Sequence, residues 1–239
     1  RTGTTGGDDA YERALTTIAQ HEEFVMEPYE GNFVSLKYPW HVLDGMEYLL
    51  SRLASHRGKG VSICDHVVIE GNVYLDDGVK IFENTKIVGP CYIGKNTIVG
   101  NNNIIRTSHI GSNCVTGFNT DITRSYIGDR CWFHSNYIGD SVVEGEVSMG
   151  SGAVLANLRL DDGEIATREG DHKIPTGRNK LGGIIATGVR IGVNASVMPG
   201  VKIGEKCFVG AGVVLSVDLP EQSFCQQKTE YILGKNTKA

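Results

Sequence analysis

The sequence CYIGKNTIVGNNNIIRTSHIG, residues 91–111, decides the fold. An aliphatic residue stands at every sixth position, at Ile93, Val99 and Ile105, and a step of five then leads to Ile110. Sequence periods this short are typical of solenoids, in which every repeat packs only against its neighbours. The stretch therefore predicts stacked turns of chain rather than a compact globular core.

The same period extends over most of the chain. It runs unbroken from Ile63 to Ile105, continues with one-residue slips, and returns cleanly from Ile185 to Leu215. The fourth residue after each aliphatic one is usually small or β-branched: Val67, Val73, Val79, Thr85, Cys91, Thr97, Cys114, Cys131, Ala153, Val189, Ala195, Val201, Cys207 and Val213. Both positions must face a narrow interior, and three hexads then make one triangular coil. We predict an all-β fold, a parallel β-helix of about seven coils stacked at a strand spacing of about 4.8 Å.

Two segments lack the period. Residues 1–60 are richer in helix formers, and we predict a helical or linker segment there, ahead of a β-helix domain at residues 61–239. Residues 10–25 form a candidate first helix, and residues 40–53 place apolar side chains at helical spacing. Residues 161–183, rich in charge and glycine, predict a long inserted loop that is a candidate lid or subunit contact.

Composition limits the partners. The chain has 239 residues, 40% hydrophobic and 21% charged, with a net charge of −5, so we predict a folded protein without a basic surface for nucleic acid or a membrane. No apolar run is long enough to span a membrane, and residues 1–10 lack the apolar core of a signal peptide. We therefore expect a cytoplasmic protein. The six cysteines form no CxxC pair, which predicts reduced, buried packing residues.

Three longer segments carry a resemblance to a known family. They are IIRTSHIGSNCVTGFNTDITRS at 104–125, HSNYIGDSVVEGEVSMGSGAVLANLRLDDG at 134–163, and TGRNKLGGIIATGVRIGVNASVMPGVKIG at 176–204. The chain resembles the left-handed β-helix acyltransferases, and more closely the C-terminal half of bifunctional sugar-1-phosphate nucleotidylyltransferase/acetyltransferases. The resemblance implies a left-handed coil, a homotrimer, and acetyl-coenzyme A as co-substrate.

The N-terminal segment fits the same resemblance in part. PWHVLDGMEYLL, residues 39–50, resembles the helix that follows the nucleotidyltransferase domain in those enzymes. The chain has no glycine-rich GxGTR-like phosphate signature, so the sequence does not support pyrophosphorylase chemistry. We interpret residues 1–60 as a remnant of that domain or its substitute.

His134 is the candidate catalytic base. It begins the motif His134 to Asp140, and the resembling family has its catalytic histidine at the start of the same motif. Imidazole, with an ordinary pKa of about 6.5, suits proton transfer near neutral pH. Without the motif, a solvated histidine on a coil corner would be the simpler interpretation.

Candidate substrate residues follow from matching positions. Arg106 matches the family's phosphate-binding arginine, and Tyr137 and Asn157 match residues that contact the sugar. Thr123 stands where the family has a lysine, so Arg124 beside it is the candidate for that charge. In the inserted loop, Lys180 and its neighbour Arg178 are further candidates for a phosphate group.

Candidate cofactor residues lie at other corners. Coenzyme A in this superfamily follows the groove between two prisms of a trimer, and the matching positions are Ser151, Val193, Ala211 and Lys228. Zinc chemistry is not predicted, because His66, His109 and His134 lack the close histidine partner that the related zinc enzymes need.

The residues and the resemblance together predict an N-acetyltransferase that acts on an amino-sugar 1-phosphate. Two alternatives stay open. One is a non-catalytic module that trimerises or regulates a sugar nucleotidyltransferase system. The other is an enzyme whose acceptor is a nucleotide-linked sugar.

Overall fold

The computed structural model describes residues 10–170, 172–228, 230 and 233–235. Residues 1–9, which belong to the predicted N-terminal helical or linker segment, lie outside the described residues. The chain divides into two compact units, residues 1–33 and 34–239. The domain boundary expected after residue 60 remains a prediction.

The first unit contains helix α1, Ala10–Ala19, which has no buried residue. The sequence predicted a longer helix, to residue 25. Because α1 buries no side chain, burial of apolar surface does not stabilise it, and isolated helices of this length are marginal.

The second unit is a parallel β-helix with three faces, which we call A, B and C. Face A contains β1 (His56–Arg57), β4 (Val73–Leu75), β7 (Cys91–Ile93), β10 (His109–Ile110), β13 (Tyr126–Ile127), β16 (Val142–Val143), β21 (Ile184–Ile185) and β24 (Lys202–Ile203). Face B contains β2 (Ser62–Ile63), β5 (Lys80–Ile81), β8 (Ile98–Val99), β11 (Val115–Thr116), β14 (Trp132–Phe133), β17 (Ser148–Met149), β22 (Arg190–Ile191), β25 (Phe208–Val209) and β27 (Phe224–Cys225). Face C contains β3 (Val68–Glu70), β6 (Lys86–Val88), β9 (Ile104–Arg106), β12 (Asp121–Thr123), β15 (Tyr137–Gly139), β18 (Val154–Leu155), β23 (Ser196–Val197) and β26 (Val214–Leu215).

The stacking confirms the predicted fold class. Neighbouring strands pair in parallel, and Ile105, Ile122 and Ile138 stack in register although the coils between them are shortened by the slips. All three are fully buried, as are most of the period's aliphatic residues.

The prism is longer than the predicted seven coils, since faces A and C each have eight strands and face B has nine. The additional strands are at the ends. His56 of β1 pairs with Tyr74, and Phe224 of β27 pairs with Phe208, without the aliphatic period in either end strand. Strand pairing uses backbone groups, which a search for aliphatic periodicity does not detect.

Face A is covered from outside. Helix α2, His41–Leu50, packs on it. The sequence predicted this helix to reach residue 53, and it ends at Leu50. The segment predicted as an inserted loop contains an antiparallel hairpin, β19 (Ile165–Glu169) and β20 (His172–Arg178). An apolar cluster joins helix, hairpin and face A: Trp40, Leu43, Met46, Leu50, Val142, Ile165 and Leu181.

A column of stacked rings lies on the same face. His56, Tyr74, Tyr92, His109 and Tyr126 stand on successive coils, with ring centroids 4.4 to 5.3 Å apart. The sequence analysis missed this column, because its members occupy outward positions between the aliphatic residues.

Among the helices that the structure describes, none is long and apolar enough to cross a membrane.

Candidate functional site

The candidate site begins at the end of face C, where the chain turns toward face A. Thr123 pairs with Arg106 on one side and Gly139 on the other, so three strand ends lie side by side. The next residues, Thr107, Arg124 and Asp140, have positive φ values of 45°, 47° and 45°. The shared conformation turns each chain sharply and places Arg124 and Asp140 on adjacent coils.

Arg106 is paired with a carboxylate from the next coil. Its Nη2 lies 2.8 Å from Oδ1 and 2.9 Å from Oδ2 of Asp121. Its Nε is buried and has no hydrogen-bond partner among the described residues. A phosphate group that approaches Arg106 must therefore compete with Asp121.

Arg124 makes a stronger pair. Its Nε and Nη2 donate to the two oxygens of Asp140 at 2.6 and 2.8 Å, and its Nη1 donates to Thr123 Oγ1 at 3.1 Å. Two parallel bonds of this kind are the favoured geometry of arginine with a carboxylate. The bond to Asp140 raises the pKa of Arg124. Arg124, predicted to bind substrate, thus has its guanidinium occupied by Asp140.

Tyr137 and Asn157, both predicted to contact substrate, contact each other. The Tyr137 hydroxyl donates to Asn157 Oδ1 at 3.2 Å, and Asn157 Nδ2 donates to Asp140 Oδ2. Burial, followed by the charges of Asp121 and Asp140, raises the pKa of Tyr137. One connected network therefore runs from Arg124 through Asp140 and Asn157 to Tyr137.

His134 lies on the corner between β14 and β15, and its side chain is exposed. Its backbone holds the corner, since its N–H donates to Asn136 Oδ1 at 2.8 Å and its carbonyl accepts from Thr120 Oγ1 at 2.6 Å. A cavity of about 350 Å³ begins at the following residue; it is lined by Asn102, Ile104, Asn119, Thr120, Asp121, Ser135, Asn136 and Tyr137. His134 directly precedes the lining residue Ser135 in the sequence, and Tyr137 also lines the cavity.

Lys180 returns from the hairpin toward the same network. Leu158 and Lys180 form an isolated bridge, and Leu181 N–H donates to the carbonyl of Asn157 at 3.0 Å. Lys180 is exposed and forms no ion pair within the described part of the chain. Arg178, by contrast, pairs with Asp44 of α2.

Three of the predicted cofactor residues form one stack on the corners between faces B and C. Asn194 N–H donates to the carbonyl of Ser151 at 3.0 Å, and Gly212 N–H donates to the carbonyl of Val193 at 2.9 Å. Ala211 stands on the coil after Val193, and all three predicted residues are exposed. Lys228 lies in the C-terminal segment with a 90% exposed side chain, 3.9 Å from Glu230. The cofactor roles of all four stay predictions.

The sequence analysis missed both carboxylates of the site. Asp121 follows Arg106 by 15 residues and Asp140 follows Arg124 by 16, which in each case is one coil later. An acidic residue one shortened coil after an arginine is the signal that would have found them.

No metal site emerges from the described residues, where no group of three or more histidine, cysteine, aspartate or glutamate side chains could hold an ion. Cys91, Cys114, Cys131 and Cys207 are free and buried as predicted, whereas Cys64 and Cys225, also expected to be buried, are free but only partly buried. Burial raises the pKa of the Cys91 thiol to about 11, which makes it a poor nucleophile.

Descriptions of known families match two stretches of the hexapeptide repeat, and two known proteins are similar to most of the chain. The description "bacterial transferase hexapeptide (six repeats)" matches residues 182–216, and "hexapeptide repeat of succinyl-transferase" matches residues 57–77. A bifunctional sugar-1-phosphate nucleotidylyltransferase/acetyltransferase of Sulfurisphaera tokodaii is 32% identical over 208 residues, 86% of this chain and 52% of that protein. The bifunctional protein GlmU of Methanocaldococcus jannaschii is 31% identical over 247 residues, 94% of this chain and 56% of that protein.

A solved structure gives a weaker likeness. The UDP-N-acetylglucosamine acyltransferase from Campylobacter jejuni has 16% sequence identity and a TM-score of 0.46, and the match covers 72% of this chain and 66% of that one. A likeness at this level carries no argument about the site.

The six-residue period and the stacked parallel strands define the chain as a parallel β-helix of hexapeptide repeats, and the two hexapeptide-repeat descriptions match it at both ends of the prism. Within that class it is similar, over most of its length, to bifunctional sugar-1-phosphate nucleotidylyltransferase/acetyltransferases. The chain spans about half the length of these relatives, 52% and 56% for the two named above.

Proposed function

We propose that the chain transfers an acetyl group from acetyl-coenzyme A to the amine of an amino-sugar 1-phosphate, and that it does so as a homotrimer. The observation that carries the proposal is the position of His134, exposed and directly before the cavity that contains Tyr137. The similarity to relatives named as acetyltransferases supports the reaction class.

The proposed chemistry uses His134 as a general base. His134 takes a proton from the substrate ammonium, and the free amine then attacks the thioester carbonyl. A backbone N–H near Ser151 stabilises the oxyanion, in the manner common to acyl transfer. When the thioester bond breaks, the leaving thiolate takes this proton back from His134, and the nitrogen releases its remaining excess proton to solvent, which leaves the neutral amide and the free thiol.

Charge for the sugar phosphate comes from two places in this proposal. Lys180 is exposed and without an ion pair in the described part of the chain, whereas Arg106 must exchange Asp121 for the phosphate. Exchange between two anions on one guanidinium is feasible because both offer two oxygens to the same planar donor set.

The proposed trimer would cover part of face B. Trp132 is 54% exposed, Phe208 is 49% exposed and Phe224 is 64% exposed there. Aromatic side chains are enriched in the cores of protein interfaces. In a trimer, coenzyme A would then lie along the Ser151, Val193 and Ala211 corners, between neighbouring prisms.

The test is acetylation of glucosamine 1-phosphate by the purified chain with acetyl-coenzyme A. We expect His134→Ala to lower kcat by about 10²- to 10⁴-fold, the usual contribution of general-base catalysis. His172→Ala, at an exposed histidine of the hairpin, should retain the wild-type rate. Wild-type activity in His134→Ala would disprove the assigned role.

One observation favours the non-catalytic alternative, since Arg106 and Arg124 are both already paired with carboxylates. A module that only trimerises or regulates should give no saturable heat when acetyl-coenzyme A is titrated into it. Saturable binding would support the enzyme.

A further inference from the structure

We propose that Asp140 is a positioning residue that sets the direction of the hydrogen bonds from Asn157 to Tyr137, so that the Tyr137 hydroxyl meets substrate only as an acceptor. The inference rests on the proposed function, and it adds a specificity rule. The acceptor substrate must present a hydrogen-bond donor, an ammonium or hydroxyl group, to Tyr137.

The direction starts at Asp140. Asp140 is only 4% exposed, and both of its carboxylate oxygens accept hydrogen bonds from Arg124. The carboxylate of an ion pair has no proton to give, so it can only accept. The Asn157 group in contact with it must therefore be the amide nitrogen.

The orientation of the Asn157 amide then determines the direction of its hydrogen bond with Tyr137. Once its Nδ2 faces Asp140, its Oδ1 faces the Tyr137 hydroxyl, 3.2 Å away. An amide oxygen accepts only, so the phenol must use its single proton in this bond. The lone pairs of Tyr137 remain for a donor on the ligand.

The surroundings of Tyr137 agree with this polarity. Tyr137 lines the cavity beside Asp121, whose two oxygens already accept from Arg106. Neither arginine of the site is among the residues that line the cavity. A cavity that is lined by the Tyr137 hydroxyl and by no arginine, lysine or histidine suits the amine and hydroxyl groups of a sugar better than its phosphate.

Gly139 makes room for the network. A Cβ atom at this position would lie 2.6 Å from Asn157 Nδ2 and 2.7 Å from the Tyr137 hydroxyl oxygen. Any larger residue would push the amide and the phenol apart. Gly139→Ala therefore tests the network without removing any of its polar groups.

The same coils provide a matched control. Arg130 pairs with Glu146 one coil later, as Arg124 does with Asp140, but that pair is on the exposed surface. Glu146→Gln thus removes a charge from a similar coil-to-coil pair that does not contact Asn157 or Tyr137.

The experiment measures kcat and both KM values for wild type, Asp140→Asn, Gly139→Ala, Tyr137→Phe and the control Glu146→Gln. We expect Asp140→Asn and Gly139→Ala to raise the KM for glucosamine 1-phosphate about tenfold, the effect of one hydrogen bond to a charged group. The KM for acetyl-coenzyme A should be unchanged, and Glu146→Gln should match wild type. Equal rises in both KM values would indicate general damage and overturn the proposal.

A double variant decides whether Asp140 acts through Tyr137. If it does, Asp140→Asn should have no further effect on the amino-sugar KM once Tyr137→Phe is present. Multiplying effects would overturn the relay, because they would show Asp140 acting independently.

Nuclear magnetic resonance separates this proposal from the proposed function. The Asn157 side-chain amide should show one proton shifted downfield by the carboxylate, and Asp140→Asn should abolish that shift. If the wild type neither binds nor acetylates glucosamine 1-phosphate, the proposed function fails while the shift still reports the hydrogen-bond direction. Absence of the shift in an active enzyme would overturn the relay alone.

Discussion

Face A and the corner that follows face C are built on the same coils, but the outer surface of face A is apolar and covered, whereas that of the corner is polar and charged. Face A carries stacked rings and is covered by α2 and the hairpin, so that Trp40 is only 3% exposed. The corner carries Arg124 and Asp140, whose charges are paired from one coil to the next. Interior positions thus hold the coil, whereas outward positions are free to become either a stabilising cover or a polar site.

The two regions also share an interior device. Ser108, Ser125 and Ser141 directly precede successive strands of face A, after the site corner, and all are fully buried. Ser125 N–H donates to Ser108 Oγ at 3.1 Å, and Ser141 N–H donates to Ser125 Oγ at 3.0 Å. These bonds satisfy polar groups inside the prism, and they fix the corner on which Arg124 and Asp140 stand.

The largest expected effect concerns the cover of face A. Trp40→Ala should lower the free energy of unfolding by about 3 to 5 kcal/mol, because it removes a large buried ring. Leu49→Ala, on helix α2 that follows Trp40, is the control, since Leu49 is 66% exposed and its loss should cost less than about 0.5 kcal/mol. Urea denaturation measures both. If Trp40→Ala left stability unchanged but reduced acetyl transfer, the division between cover and site would be wrong.

A smaller effect is expected at the corner. Arg124→Ala should lower the free energy of unfolding by about 1 to 3 kcal/mol, because it leaves the Asp140 carboxylate buried without its charge partner. The Asp140 side chain is 5% exposed, against 53% for Glu146 in the parallel pair with Arg130. Arg130→Ala should therefore cost at most about 1 kcal/mol. Equal losses in the two variants would show that burial of the carboxylate does not matter.

The smallest expected effect is a change in pH dependence on face A. His109 stacks between Tyr92 and Tyr126, and burial lowers its pKa in the folded chain. The folded state therefore binds fewer protons than the unfolded state, whose histidine titrates near about 6.5. Stability is complete above that pH and falls as the pH drops below it.

His109→Phe tests this, because it keeps a ring in the column but removes the titration. Urea midpoints at pH 7.5 and pH 5.5, values chosen to lie about one unit either side of the ordinary histidine pKa, should differ less in the variant than in wild type. An identical difference in both chains would assign the pH dependence to other groups.

Much of the fold could be predicted from local sequence because each coil buries side chains at the same positions. A strand that stacks on its neighbour needs an aliphatic residue such as Ile105 inside, and the six-residue period in the sequence shows this requirement directly. The end strands β1 and β27 escaped prediction because neither His56–Arg57 nor Phe224–Cys225 contains the aliphatic residue that the period records. The hairpin at 165–178 escaped because its charged residues resemble those of a loop.

The candidate site was predictable only in part. His134, Tyr137 and Asn157 were found through the family motif, which contains them in one continuous stretch. Asp121 and Asp140 were missed because their partners are one coil away, and a single-sequence motif does not show which residues stack.

The sequence by itself determined the coil, since the aliphatic period specifies which side chains face inward whatever lies outside. The tertiary structure alone decided which outward residues meet. It placed Asp140 against both Arg124 and Asn157, and it packed Tyr92 and Tyr126 against the apolar cluster of α2. The physical reason is that inward burial is a property of each hexad, whereas hydrogen bonds and ring stacking depend on the alignment of separate coils.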